Sequence, residues 1–432
     1  MGVDVEFPKR PGNENIPKFL HYVIVLPIKV ILSSLPYKGR MKRLLRQMWH
    51  SFWNHCILIL SLKQRRIYKE FNAFSIRLLN EKEKKCFIVE STISWQHALF
   101  QRPQQLSLAL GELGHPVIYK NASIHGIIKV TDNVWAINDR HLMHHNNSVR
   151  ILLSTCDYPD HLYRHDLPDD ILVYDYIDHI DEKISGSYTS KLVINKNRMF
   201  AEADIVAASA KGLYDEAVAS AKGRVILVPN GVDTRHYFSF ARKAVPPPLI
   251  ADFCTRYLKI VGYFGAIAPW LDYDLINALI DARKDLGFIF IGPDYDGHCM
   301  NKFIETDNLL LAGTVDYVIL PEYAHWFDIC WIPFEQGDIA KTTSPLKLFE
   351  YFALGKPVVV TSDLRECVVF SQVLQGHDAT SFSQSFDKAF LLAKDSTAIE
   401  NLKQLAIANS WLERARVLSL AVQELAESKC KT

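Results

Sequence analysis

The sequence predicts an α/β protein of two doubly wound, Rossmann-like domains facing a cleft, preceded by a basic helical extension. Three observations carry this. From Cys86 onward, short apolar strands alternate with helical stretches, the pattern of parallel sheets covered on both faces. The alternation runs twice, and a Pro-rich stretch, Val245-Pro246-Pro247-Pro248, separates the runs as a linker. Between Asn15 and Lys69 eleven residues are Lys or Arg and none is acidic, so the start of the chain differs in kind. The expected divisions are 1–85, 86–243, 244–409 and a last helix in 410–432.

In the first run Cys86–Glu90 is a short buried strand. Pro103 opens a helix to about Leu113, which Gly114-His115 ends, and Pro116–Tyr119 is the next strand. Strands follow at Arg150–Ser154, Leu172–Tyr176, Ile205–Ala208 and Val225–Val228. The second run has strands at Lys259–Phe264, Phe288–Ile291, Leu309–Leu311, Ile329–Pro333 and Val358–Thr361. Ligands of such sheets sit at the carboxyl ends of the strands.

Composition excludes several classes. The chain of 432 residues is 49% hydrophobic and 22% charged with a net charge of +1. That is a globular composition without steering toward nucleic acid. Eight cysteines stand singly at 56, 86, 156, 254, 299, 330, 367 and 430. No C-x-x-C pair occurs, so neither a zinc site nor a disulfide scaffold is indicated, and a reducing cytosol is expected. No internal repeat and no cleavable signal are evident. No G-x-G-x-x-G opens a helix after a strand and no P-loop string occurs, which removes the main support for NAD enzymes and NTPases.

In the extension, basic residues are interrupted by Phe19–Leu35, by Cys56–Leu62 and by Trp49–Trp53 around His50. Cations among aliphatics and tryptophans suit an anionic membrane surface. Pro27 and Lys29 lie mid-way along Phe19–Leu35 and make spanning costly. The expectation is a cytoplasmic protein held peripherally on the inner face of the membrane; a helical extension packed on the protein is the alternative. Glu81–Lys85 reads as a solvated linker.

Thr342–Val360, TTSPLKLFEYFALGKPVVV, is the most informative segment. Ser344 suits an N-cap and Pro345 a first helical position. Leu346, Phe349 and Ala353 recur at helical spacing, and Gly355 offers the C-terminal cap. The helix N-terminus favours an anion. Lys347 and Glu350, three apart, share one face, so a cation and a hydroxyl-binding carboxylate can serve one nucleotide diphosphate. A surface charge pair is the plainer reading.

This segment resembles the nucleotide-sugar site of GT-B glycosyltransferases of family 4, which carry two glutamates eight positions apart before a Gly-x-Pro-Val run. Glu350 and Gly355-Lys356-Pro357-Val358 match; Thr342 stands at the first glutamate's position. The likeness is nearest to bacterial surface-polysaccharide transferases of teichuronic-acid type. It implies a retaining transfer without a metal, from a nucleotide diphosphate sugar to a glycan or lipid-linked acceptor. Glu350 would bind the ribose hydroxyls. Backbone and side chains of Thr342, Thr343, Ser344, Pro345, Leu346 and Lys347 would receive the diphosphate, with Lys347 stabilising it as it leaves.

Pro229-Asn230-Gly231-Val232-Asp233 resembles the family's turn between domains, where Gly231 could take positive φ. Gly262-Tyr263-Phe264-Gly265-Ala266 resembles its glycine loop, with Gly265 admitting the donor phosphates. The usual basic pair is replaced by Ala268-Pro269-Trp270-Leu271-Asp272. Trp95…Phe100-Gln101-Arg102-Pro103 resembles the branch's Trp…Gln-Arg-Pro loop, which makes Arg102 a phosphate candidate or else a surface ion-pair residue. At the end of Leu172–Tyr176 stand Asp178 and His179. Asp178 would orient the acceptor hydroxyl or take its proton, or cap the following helix. In relatives the helix begun by Ser410-Trp411-Leu412-Glu413, to about Ala426, crosses back to the first domain.

Asp272-Tyr273-Asp274 and Asp294-Tyr295-Asp296 mimic an Asp-x-Asp metal motif, but the first reads as a helix start and no metal is expected. Three other readings stay open: a non-catalytic donor-binding subunit, a sugar-nucleotide epimerase of the same shape, and a structural membrane scaffold.

Overall fold

The computed structural model describes residues 62–80, 85–97, 100–124, 126–138, 148–163, 170–182 and 186–429. The expectations for residues 1–61 and for Glu81–Lys84 lie outside them. Ile67–Thr432 forms one compact unit.

Two sheets organise that unit. The first is built from β1 (Cys86–Glu90), β2 (Val117–Lys120), β3 (Ile127–Lys129), β4 (Val134–Ile137), β5 (Ser148–Leu153), β6 (Ile171–Tyr176), β7 (Ile205–Ala208) and β8 (Arg224–Leu227). Their spatial order is β3-β4-β2-β1-β5-β6-β7-β8, parallel except for the β3–β4 pair. The second comprises β9 (Ile260–Phe264), β10 (Gly287–Ile291), β11 (Leu309–Leu311), β12 (Ile329–Ile332), β13 (Val358–Thr361) and β14 (Leu374–Gly376). Its order is β11-β10-β9-β12-β13-β14, all parallel. Central strands such as β9 and β10 are buried at every residue, which is why they read as continuous apolar runs.

Strand order reverses beside β1 in one sheet and beside β9 in the other. Such switch points open a crevice at the strands' carboxyl ends. The loop after β9 begins at Gly265; the loop after β1 leads to the Arg102–Glu112 helix. These are the loops singled out from the sequence.

Each sheet has its own core. Phe87, Val89, Tyr119, Ile151 and Tyr174 lie in the first; Val261, Phe288, Trp331 and Phe386 lie in the second. The Trp411–Lys429 helix places Trp411, Ala415, Leu418 and Val422 in the first core, so the chain does cross back. Val232 and Tyr237 already belong to the second core, before the expected boundary at 243/244. Pro248 opens a helix to Arg256, so the Pro-rich stretch runs directly into an element.

The Leu62–Asn80 helix lies in the stretch assigned to the extension, yet Phe71, Phe74 and Leu78 are buried against Ile88, Ile118 and Trp135 of the first sheet. Phe71 and Phe74 meet Trp135 at centroid distances of 5.3 and 5.6 Å. Phe74→Ala should loosen this helix locally. Core Phe→Ala truncation costs about 3 kcal/mol, so amide exchange across residues 67–78 should accelerate by roughly a hundredfold while the second sheet keeps its protection. Unchanged exchange would show that the helix is held by other means.

Candidate functional site

The Leu346–Ala353 helix is central to the site. It begins one residue later than expected, with Pro345 as N-cap. Ser344 is not the cap: its hydroxyl accepts from the Asn230 N–H at 3.4 Å and its carbonyl accepts from Asn230 Nδ2 at 2.6 Å. Pro345 at ψ 122° keeps the preceding chain extended, which carries the Ser344 hydroxyl away from the first turn. The other end is as expected. Gly355 at φ +67° closes the helix, with its N–H on the Phe352 carbonyl and that of Lys356 on Tyr351.

On this helix Glu350 is buried and Lys347 half-buried, with few polar neighbours. The Lys347 ammonium lies 4.9 Å from the Tyr263 ring and 5.0 Å from Phe334. Lys347 makes no hydrogen bond or ion pair among the described residues; the Glu350 carboxylate is met by the Tyr237 hydroxyl. Burial lowers Lys347 to about 8, with Glu350 pulling the other way. Burial raises Glu350 to about 7, opposed by the Tyr237 hydroxyl and by Lys347. Tyr237 is buried and its hydroxyl lies against the Glu350 carboxylate, with no other hydrogen-bond partner. A half-buried cation without a partner, beside a buried carboxylate met by one hydroxyl, leaves polar capacity for a ligand.

Gly265 forms the roof over Lys347. At φ +135° it holds a backbone shape that side chains avoid, and a Cβ there would lie 2.8 Å from Lys347 Cε. A second glycine, absent from the sequence reading, is tighter: a Cβ on Gly292 would come 1.8 Å from the Gly265 carbonyl. The Gly265 N–H bonds the Ile291 carbonyl at 2.9 Å, and Gly292 bonds Gly313 at 2.8 Å. The ends of β9, β10 and β11 are thus pinned at bare backbone. An apolar strand running into Gly292-Pro293 was the available signal.

The other candidates fall in different places. Thr342 and Thr343 turn their hydroxyls back onto the carbonyls of Asp338 and Ile339, at 2.7 and 2.6 Å. Thr342 also faces Gly212 of the first domain. Leu346 packs against the first core. Asp178 is partly buried at the end of β6; burial lifts it to about 6, with Arg102 lowering and Asp175 raising it. The helix it was expected to cap runs into residues 183–185, outside the described residues. His179 is partly buried beside it.

Arg102 is a correction. It is neither open to a phosphate nor a surface residue: it is 2% exposed and forks onto Asp175 at 2.7 and 2.8 Å. Its remaining contacts are the Pro229 carbonyl and Asn230 Oδ1, at 3.3 and 3.1 Å. Gly231 is the other. It is absent from the positive-φ glycines; it is glycine because a Cβ would lie 2.8 Å from the Asn409 carbonyl. Val232 bridges to Ser410, and Asp233 caps the Thr234–Phe238 helix. In the metal-like strings, Asp272 caps the Tyr273–Ala282 helix. Asp294 accepts from the N–H groups of Gly297, Cys299 and Met300.

Tyr317 of the second domain was not anticipated. It stacks between Phe100 and His236, at 5.4 and 4.5 Å, and its hydroxyl accepts from Gln105 at 2.8 Å. Glu366 accepts from the Lys211 N–H of the first domain at 2.6 Å. The cleft is therefore bordered by direct contacts between its walls.

Comparison with solved structures settles the architecture. Alr3699/HepE of Anabaena in complex with UDP superposes with a TM-score of 0.54, covering 79% of this chain and 100% of that one at 13% identity. The α,α-trehalose 6-phosphate synthase of Burkholderia multivorans gives 0.56 over 80% and 99% at 12% identity. The fold is GT-B. No protein-family model matches the chain. In sequence, TuaH of Bacillus subtilis (strain 168), provisionally named a teichuronic acid biosynthesis glycosyltransferase, is 27% identical over 259 residues. That match covers 56% of this chain and 64% of TuaH, less than two thirds of the relative's length. In this GT-B frame Lys347, Glu350 and Gly265 lie at the second domain's strand ends, and Asp178 follows the end of β6 in the first.

Proposed function

We propose that this protein transfers a sugar from a nucleotide diphosphate sugar to a glycan or lipid-linked acceptor in bacterial surface-polysaccharide synthesis. The observation that carries the reading is the Lys347–Glu350 pair on the first turns of a helix beneath the bare backbone of Gly265, with the ammonium making no hydrogen bond or ion pair among the described residues. A helix N-terminus and a half-buried ammonium suit a diphosphate, and a buried carboxylate suits ribose hydroxyls. HepE holds UDP on the same fold, which supports a uridine nucleotide as the first to test. The TuaH likeness supports the polysaccharide context.

The reaction in this reading is of the retaining, metal-independent, family 4 type. Departing diphosphate gathers negative charge, which Lys347 and the helix dipole stabilise. Asp178, lifted toward neutrality by burial, orients the acceptor hydroxyl. Association of the basic first 61 residues with an anionic inner leaflet would bring a lipid-linked acceptor to the cleft.

Calorimetry with UDP, followed by mass spectrometry of a lipid-linked acceptor incubated with UDP-sugars, tests the proposal. UDP should bind, and Glu350→Gln should weaken it by about tenfold or more, the loss expected of a hydrogen bond to a charged group. Absence of nucleoside diphosphate binding would sink the reading. Binding without product on every acceptor tried would favour a donor-binding subunit, for which Thr342 in place of the first glutamate argues.

A further inference from the structure

Near the cleft Asn230, 6% exposed, is held from several sides. All four of its polar groups are engaged, and each reaches a different part of the chain or a different atom. Its Oδ1 accepts from Arg102 at 3.1 Å, and its carbonyl accepts from Arg414 Nε at 3.2 Å. Its Nδ2 donates to the Ser344 carbonyl at 2.6 Å, and its N–H to the Ser344 hydroxyl at 3.4 Å. Arg102 belongs to the first domain, Arg414 to the returning helix, and Ser344 directly precedes the helix of Lys347 and Glu350. Arg414 also lies 5.7 Å from the Phe349 ring on that helix.

We infer that Asn230 is a positioning residue which sets the first turn of the donor-site helix from the first domain, and that Arg102 is its anchor rather than a phosphate ligand. The geometry explains why the anchor is arginine. Asp175 takes two parallel hydrogen bonds and fixes the guanidinium plane. The third corner then points at Asn230 Oδ1 and the Pro229 carbonyl. A lysine is a point charge and cannot hold both directions at once. Asn230 in turn must be an amide, since it accepts from Arg102 and donates to Ser344. A carboxylate would keep the first contact and set two acceptors 2.6 Å apart at the second. Gly231 leaves no space for the turn to shift, because a Cβ there meets the Asn409 carbonyl.

The inference rests on the nucleotide-sugar reading for its ligand but not for its geometry, so two measurements separate the two. Amide exchange across Ser344–Phe349 in the nucleotide-free protein should accelerate by about tenfold or more in Asn230→Asp and in Arg102→Lys. The Ala379–Leu392 helix serves as the internal control for folding. Unaltered exchange in both variants would overturn the inference whether or not a nucleotide binds. Titration with UDP should show both variants at least about tenfold weaker than the parent chain. If Arg102 met the diphosphate directly, lysine would retain most of the affinity; that outcome, with unaltered exchange, would also overturn it. A parent chain that binds no nucleoside diphosphate counts against the proposed function alone, and the exchange result still decides the role of Asn230.

Discussion

Replacing Lys347 by glutamine should lower sugar transfer by about a hundredfold or more while weakening UDP binding much less. The charge matters most where the diphosphate departs, and the surrounding Tyr263 and Phe334 rings exclude the water that would otherwise solvate it. Equal losses in turnover and affinity would show that Lys347 acts on the bound donor instead. The pH profile supplies an independent check. Glu350, raised to about 7, carries charge only above that value; Lys347, lowered to about 8, carries charge only below that one. UDP binding should therefore be strongest between about 7 and 8. It falls on the acid side as Glu350 protonates and on the alkaline side as Lys347 loses its proton. Lys347→Arg keeps the cation at all accessible pH and should abolish the alkaline limb. An alkaline limb that survives in Lys347→Arg would assign it to another group.

Gly292→Ala should be as damaging as any change to a charged residue in the site. Its new methyl would overlap the Gly265 carbonyl, 1.8 Å from the added carbon, so the loops after β9 and β10 must part. Displacement of the Gly265 roof by about an ångström is expected to cost roughly a hundredfold in turnover. Gly297→Ala is the control. It also has positive φ, but nothing lies within 4 Å of the added carbon, so it should alter stability slightly and turnover hardly at all. Similar losses in both would mean that backbone strain, not the close approach, is responsible.

Much of the fold was legible because buried parallel strands need no decoding of faces. β1, β7, β11 and β13 were read to the residue. β3, β4 and β14 escaped: Leu374–Gly376 carries a single apolar side chain, Ile127–Lys129 only two, and Val134–Ile137 is a run of four. Lys347, Glu350 and Gly265 were found because helix caps and strand-end glycines leave a mark in the sequence. Asn230 was legible only as part of a turn, and Tyr317 left no mark. Their importance comes from partners more than a hundred residues away, such as Ser344 for Asn230 and Gln105 for Tyr317. Arg102 was assigned to a ligand because its partner, Asp175, is hidden in a strand that reads as apolar. Gly231 was given the wrong reason, since crowding by Asn409 cannot be seen in a turn motif.

The chain enters the second domain at Val232 and leaves it at Ser410, and these two residues are bridged side by side. Both covalent connections between the halves of the molecule thus pass through a single small region, stitched by the Val232–Asn409 and Trp411–Val232 hydrogen bonds of 3.2 and 3.1 Å. A body tethered at one place swings about it and cannot translate freely. Atoms near the fulcrum hardly move, while displacement grows with the lever arm. Asn230, adjacent to that pivot, keeps its grip on Ser344 through such a swing. The Gln105–Tyr317 and Lys211–Glu366 contacts, which have no covalent tether beside them, are among those such a swing would strain.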